Sequence, residues 1–325
     1  MAIHTETTTA CQSEQAKIDD DVTKNVATAH KKQPQTAAGT RSDDAALADK
    51  LDRLSIVTSA PAKNCGTVEV GDSGHMIYWE NTVDEKKFNP DFDWTDQQVG
   101  LEYLDDCTDF RALGNDPCDC KAGDDAVHGV QYGADGRLEY LDSLYIFECN
   151  DSCGCSESCA NRVVQRGSSV GFGVFKTPSS GWAARALQVI PAGTFIVEYT
   201  GRILSEEEDS ACRRVHGHSW YTFDLDSFEG VDYPYVIDAR FQGNQARFLN
   251  HCCEENCRVR VVASDNVGGP YVPRVAIFAR RDIEKGEELT IDYGYHVNSD
   301  PEFVPELCVR CHCGAASCKK YLLRK

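Results

Sequence analysis

No run of about 18 apolar residues occurs in the 325-residue sequence, so no segment is long and apolar enough for a membrane-spanning helix. Met1 to Ala10 is polar and Thr-rich and lacks the apolar stretch of a secretory signal, which predicts a soluble, intracellular protein. No Lys/Arg cluster resembling an import signal is present, nor any Gly-rich loop of the dinucleotide-binding kind. Positive charge is scarce: 33 Lys/Arg against 52 Asp/Glu give a net charge of −19. Residues 1–60 hold seven Lys/Arg and nine Asp/Glu, leaving −17 on the remainder. A body that acidic serves solubility, repels a nucleic-acid backbone and attracts basic partners; no direct nucleic-acid binding is expected.

Aromatics and strand patterning are also sparse before about residue 70, so residues 1–70 are predicted to be a disordered or weakly structured tail. Within it Ser42 would cap a short helix carrying Leu47, Leu51 and Leu54 on one face, either transient or a docking stripe for the body or a partner. Aromatics set in after Gly74 (Tyr78, Trp79, Phe88, Phe92, Trp94) and mark the start of ordered structure.

Cysteine is abundant, with 17 residues, of which 14 crowd into Cys107–Cys159, Cys252–Cys257 and Cys308–Cys318. C-x-C and C-x-x-C spacings converge on a metal more readily than on separate disulfide partners, so the reading is structural zinc. Cys107, Cys118 and Cys120 precede Cys149, Cys153, Cys155 and Cys159, the latter spaced C-x3-C-x-C-x3-C. Seven thiolates exceed one tetrahedral ion and suit a multinuclear cluster. Cys311, Cys313 and Cys318 leave a further zinc one ligand short. Cys11, Cys212 and Cys257 are read as ordinary residues, the last in the core.

Between Gly171 and Tyr295 short β runs alternate with turns: Gly173–Lys176, Phe195–Tyr199, Trp220–Leu225, Tyr235–Asp238, Arg258–Ala263 and Val275–Ala279. Ser205-Glu-Glu-Glu208 is a capping box opening one helix from Glu206 to about Val215. Many short strands with little helix predict a mainly β fold of small curved sheets rather than a parallel α/β sheet.

Two segments carry the chemistry: Arg247-Phe-Leu-Asn-His-Cys-Cys253 and, about forty residues on, Glu288-Leu-Thr-Ile-Asp-Tyr-Gly294. With Gly181-Trp-Ala-Ala-Arg185, Phe195 to Gly201, Tyr221 to Asp226 and Ile237 to Asn244, they stand in the order found in SET-domain protein lysine methyltransferases. The cysteine cluster followed by Ala160-Asn-Arg-Val-Val-Gln-Arg-Gly167 resembles the end of a pre-SET region of the suppressor-of-variegation, histone H3 lysine-9, class. The resemblance implies an N-terminal flank and pre-SET zinc cluster over 71–160, a SET catalytic domain with its pseudoknot over 161–300, and a post-SET zinc region over 301–325.

The resemblance also assigns roles. Tyr293 would be catalytic, its hydroxyl orienting the lysine nitrogen, with Tyr199 lining the same channel. Gly181, Trp182, Tyr221, Arg247, Phe248, Asn250, His251 and Tyr321 would surround S-adenosylmethionine, Asn250 and His251 largely through their backbone. Singly, each such Tyr or Trp reads as core packing; motif order gives the functional reading. Ile291 stands where the family has Phe or Tyr and, unable to hydrogen-bond, would permit di- or trimethylation. Cys253 would complete the post-SET zinc, while two or three zincs would occupy the pre-SET cluster. Cys107 fits either the second or the third position of the first group, Asp105 standing in for a thiol in one case, and Cys65 is a distant candidate.

Four residues depart from the family pattern: Ala183 for Gly, Arg202 for Glu, Glu255 for Pro, and Ile291. Ala183 is expected to crowd a Gly-only backbone. The implied protein is a nuclear, chromatin-associated enzyme acting on the histone H3 tail, in heterochromatin and gene silencing, with chromatin proteins as possible partners of residues 1–70 and no membrane association. Alternatives are another lysine substrate and a non-catalytic SET scaffold.

Overall fold

The computed structural model describes residues 64–71, 75–100, 131–142, 145–150, 153–217, 219–225, 235–264, 273–294 and 308–324. Cys107, Cys118, Cys120, Asp105 and the Ser42 helix therefore lie outside the described residues.

In chain order the first strands are β1 (Cys65–Val70), β2 (His75–Glu80), β3 (Asp93–Trp94), β4 (Tyr145–Phe147), β5 (Phe172–Lys176), β6 (Trp182–Ala186), β7 (Phe195–Glu198) and β8 (Gly201–Ser205). Helix α1 (Glu206–His216) follows, then β9 (Thr222–Asp224) and β10 (Tyr235–Gly243). One turn of 3-10 helix (Gln245–Phe248) leads to β11 (Asn250–His251), β12 (Cys257–Ala263), β13 (Arg274–Ala279), β14 (Thr290–Ile291), β15 (Cys308–Arg310) and β16 (Tyr321–Arg324).

These strands form small sheets, as the sequence predicts. One has the order β1-β2-β5-β6, a second β4-β12-β13-β7, and a third β3-β10-β8 with β9 also on β10. The first described strand, β1, starts at Cys65. Thr67 and Glu69 give β1 little apolar signal; its order comes from antiparallel pairing with β2, whose Ile77 and Trp79 are buried. The Trp220–Leu225 run shortens to Thr222–Asp224 with Trp220 in an exposed turn, and the Tyr235–Asp238 run lengthens to Gly243.

The predicted helix is the only α-helix among the described residues, and its capping box is complete: Ser205 Oγ accepts from Glu208 N–H while Glu208 accepts from Ser205 N–H. Such a cap is worth about 1 kcal/mol. The acidic first turn and basic last turn, with Arg213 and His216, complement the helix dipole.

Gly201 makes possible the close approach of β8 to β10, since a Cβ there would lie 2.7 Å from Asp238 O. After a register shift in that antiparallel pair, Gly243 pairs with Gly201 just before the 3-10 turn. The next segment, β11, pairs in parallel with β14 (Asn250 opposite Thr290, His251 opposite Ile291), with the β12–β13 hairpin inserted between them in sequence. This threaded pairing is the pseudoknot, and it brings the two motif segments side by side.

Candidate active site and zinc centres

Tyr293 lies two residues past the end of β14, so the pseudoknot fixes its place. Its hydroxyl donates to Leu249 O at 3.0 Å, and its N–H donates to His251 Nδ1 at 3.1 Å. Tyr199, buried at the end of β7, donates its hydroxyl to Tyr221 O at 2.8 Å. Burial first, and the neighbouring Tyr293 second, push the Tyr199 phenol well above its ordinary range, so it stays protonated. Each phenol spends its proton on a backbone carbonyl and keeps its oxygen lone pairs as acceptors. Two phenol oxygens beside a buried apolar residue, Ile291, suit an incoming amine.

His251 is neutral, its pKa lowered by burial against the opposing pull of Asp292. Because Nδ1 accepts from Tyr293 N–H, the ring proton sits on Nε2, which faces Cys253 Sγ at 3.2 Å. The ring thus holds the tyrosine backbone with one nitrogen and a cysteine with the other.

Cys253 meets the predicted tail thiols. The sulfurs of Cys253, Cys311, Cys313 and Cys318 all lie within 4.8 Å of one another, and Cys253 and Cys311 are 4.0 Å apart. Tetrahedral zinc with bonds of about 2.3 Å spaces its sulfurs by about 3.8 Å, whereas a disulfide needs about 2.05 Å. Four convergent thiols at that spacing fit zinc. Cys149, Cys153 and Cys155 form a second convergent group, with Cys159 Sγ 3.6 Å from Cys149 Sγ. Cys65 joins neither group among the described residues; its thiol interacts with Tyr78 across the β1–β2 pair. Cys257 is a core residue, its thiol pushed up to about 12 by burial.

The residues assigned to the cofactor fall into two kinds. Asn250 and His251 offer short backbone stretches in β11, with Asn250 Nδ2 donating to Glu288 Oε1 at 3.0 Å. Gly181 has φ of +76°, and nothing would lie within 4 Å of a Cβ there, leaving open space beside half-buried Trp182. Arg247 and Phe248, by contrast, are buried. The Arg247 guanidinium lies 4.2 Å from the ring centroids of both Phe92 and Tyr221 and donates to Ala239 O and Arg240 O. Its side chain is committed to the scaffold, as is one face of Tyr221. Tyr321 lies opposite Arg310 in the β15–β16 ribbon and is half-buried.

The open space at Gly181, the backbone of Asn250 and His251 and the flanking aromatics fit a flat, polar-edged cofactor such as S-adenosylmethionine. What sequence reading missed is the support from the N-terminal flank: Phe88 lies edge-on to Trp182 at 5.0 Å and to Phe248 at 5.4 Å. The only sequence signal was the onset of aromatics after Gly74.

The departures from the family pattern find local explanations. Ala183 lies in regular β6 opposite Phe175, and Lys320 is the only non-glycine residue of positive φ among those described, so the expected crowding does not arise. Glu255 is buried between Arg258 at 3.6 Å and Arg280 at 3.4 Å. Arg202 lies in β8 opposite Asp238.

Glu198, next to Tyr199, pairs with Arg274 at 3.0 Å, yet burial outweighs that partner and raises its pKa from 4.5 to about 7. A carboxyl whose folded pKa is raised contributes stability fully below about pH 4.5 and loses it as pH rises towards 7. Wild type is therefore expected to lose up to about 3 kcal/mol relative to Glu198→Gln between pH 4.5 and pH 8, measured by denaturant unfolding of both proteins. Parallel pH profiles would show that Glu198 titrates alike in the folded and unfolded chains.

The SET domain family model matches residues 181–294, and the Pre-SET motif model matches residues 69–162. The chain is 36% identical over 238 residues to the probable histone-lysine N-methyltransferase set-23 of Caenorhabditis elegans, covering 71% of this chain and 89% of that protein. It is 36% identical over 222 residues to the histone-lysine N-methyltransferase, H3 lysine-9 specific, of Schizosaccharomyces pombe, covering 64% of this chain and 44% of that protein. Among solved structures it resembles Arabidopsis thaliana SUVH6 in complex with SAM, with a TM-score of 0.64 and 26% identity over 82% of this chain and 57% of that one. The chain spans about half the length of the first curated relatives it matches.

Proposed function

Since the chain belongs to the family of SET-domain histone-lysine N-methyltransferases that carry a Pre-SET motif, we propose that it methylates a lysine of the histone H3 tail, lysine 9 in particular. The observation that carries this reading is the pair of phenols, Tyr293 and Tyr199, near each other at the pseudoknot, each donating its hydroxyl proton to a backbone carbonyl. S-adenosylmethionine, when bound, supplies the methyl group for in-line displacement by the amine. Tyr293 and Tyr199 accept from the amine N–H groups and orient its lone pair. Burial at the apolar Ile291 lowers the lysine pKa from about 10.4, so that the neutral amine is reached with loss of its proton to water. Asn250, His251, Gly181 and Trp182 bind and orient the cofactor. Cys253, Cys311, Cys313 and Cys318 hold one zinc, and the Cys149–Cys159 group holds zinc together with Cys107, Cys118 and Cys120. The net charge of −19 attracts the basic tail, and the site of action is nuclear chromatin.

The test is label transfer from S-adenosylmethionine to H3 peptides with lysine 9 or lysine 4 replaced. Label is expected on H3 and lost when lysine 9 is absent. No transfer by folded, zinc-replete protein that still binds cofactor would overturn the reading in favour of a non-catalytic scaffold, and transfer to other peptides would relocate the substrate. Ile291 adds a second expectation. Mass spectrometry of the product should show di- or trimethyl lysine, and Ile291→Tyr should halt the reaction at monomethyl by adding a hydroxyl that crowds the amine. Only monomethyl product from wild type at long times would refute this role for Ile291.

A further inference from the structure

The zinc tail and the catalytic strand meet at a contact that neither zinc ligation nor cofactor binding accounts for. Asp292 lies between Ile291 and Tyr293. Its Oδ2 receives Lys319 Nζ at 3.0 Å, its Oδ1 accepts from Gly294 N–H at 3.0 Å, and Oδ1 approaches His251 Nδ1 to 3.5 Å. Lys319 follows the thiol Cys318, and its own N–H donates to Cys253 Sγ at 3.3 Å. One residue of the tail therefore touches the proposed zinc site through its backbone and the turn around Tyr293 through its side chain. The next residue, Lys320, has φ of +73°, the left-handed region that a Lys rarely adopts. The chain reverses there so that Cys311 N–H reaches Lys320 O at 2.8 Å and Tyr321 enters β16. A second tether fixes the same loop: Glu254 Oε1 accepts from Ser317 N–H at 2.9 Å and from Ser317 Oγ at 2.7 Å.

A side chain about one-third exposed would ordinarily make a surface ion pair of little worth. Here the Asp292 carboxylate is already held by Gly294 N–H and the Lys319 backbone by Cys253 Sγ, so the pair joins two anchored segments. The carboxylate is also shared with the backbone N–H that follows Tyr293. We propose that Lys319 is a positioning residue that couples closure of the post-SET tail to the placement of Tyr293, acting through Asp292. The coupling to catalysis rests on the function proposed above; the structural coupling does not.

The zinc-replete 325-residue chain would be compared with Lys319→Met and Lys319→Arg. Zinc content and peptide kinetics would be measured, along with hydrogen exchange at the Tyr293 and Gly294 amides. Lys319→Met is expected to keep its zinc, to lower kcat about tenfold with KM for peptide moving less than about twofold, and to speed exchange at both amides roughly tenfold. Lys319→Arg, which keeps the charge, should stay near wild type while Lys319→Met, which keeps the bulk, should not, a difference that a role in packing alone would not produce. Unchanged exchange at residues 293 and 294 in Lys319→Met would overturn the coupling. So would loss of zinc from that variant, because the residue would then act on the metal site itself. If wild type transfers no methyl group to any peptide, the function proposed above fails, while the exchange measurement still decides the coupling.

Discussion

Tyr293→Phe is expected to lower kcat by about 100-fold or more while cofactor affinity stays within about twofold. The expectation follows from the division of labour at this hydroxyl. Its proton goes to Leu249 O, so what the hydroxyl can offer the amine is its oxygen as acceptor, and phenylalanine removes that together with the bond to Leu249 O. The ring keeps its place beside His251, 5.4 Å between centroids, and the backbone N–H still donates to Nδ1. Leu249 O loses one partner, which costs stability about 1 kcal/mol. The variant should therefore fold, bind cofactor and fail to orient the amine. Label transfer to H3 peptide under single-turnover conditions measures the chemical step, and calorimetric titration with S-adenosylhomocysteine measures the cofactor site. Activity within about fivefold of wild type would mean that Tyr293 serves packing and that Tyr199 or another group orients the amine.

How much of this site was legible in the sequence depended on whether a contact is local. The helix at Glu206–His216 was readable because its signal, Ser205 to Glu208, lies within one turn. The strands of the β12–β13 hairpin were readable from their own apolar runs. The tail thiols were readable because zinc imposes a spacing on Cys311, Cys313 and Cys318, whereas Cys253 as their partner came only from family resemblance. Arg247 was assigned to the cofactor by motif, yet Phe92 from the N-terminal flank and Tyr221 enclose its guanidinium. No periodicity announces a contact between residues so far apart. The same holds for Glu255, an apparent misfit in sequence that is resolved by Arg258 and Arg280 on either side. Lys319 and Asp292, too, are unremarkable charged residues until the pseudoknot and the tail bring them together.

Cys313→Ser is expected to remove one zinc per chain and to abolish most methyl transfer while the central sheets remain folded. The β15–β16 ribbon is two-stranded, and an isolated pair of that size is marginal in water. Among the described residues its order rests on the thiol cluster, the Glu254–Ser317 contact and the Lys319–Asp292 pair. Structural zinc contributes on the order of 10 kcal/mol to small sites of this kind, far more than either polar tether. Without it Cys253 has no metal holding it, and His251 Nε2 faces a free thiol. Tyr321 and Lys319 should then leave the active site together. The hydrophobic core built from β2, β5, β10, β12 and β13 does not draw on these thiols, so bulk secondary structure should persist. Elemental analysis of the purified variant, far-ultraviolet circular dichroism and label transfer separate the three consequences. Full zinc content with activity retained would point to Cys252, whose thiol interacts with Cys313, as a substitute ligand, and the double variant Cys252→Ser with Cys313→Ser should then lose both. Global unfolding of Cys313→Ser would instead show that the tail zinc holds the domain together, contrary to the separation of tail and core argued here.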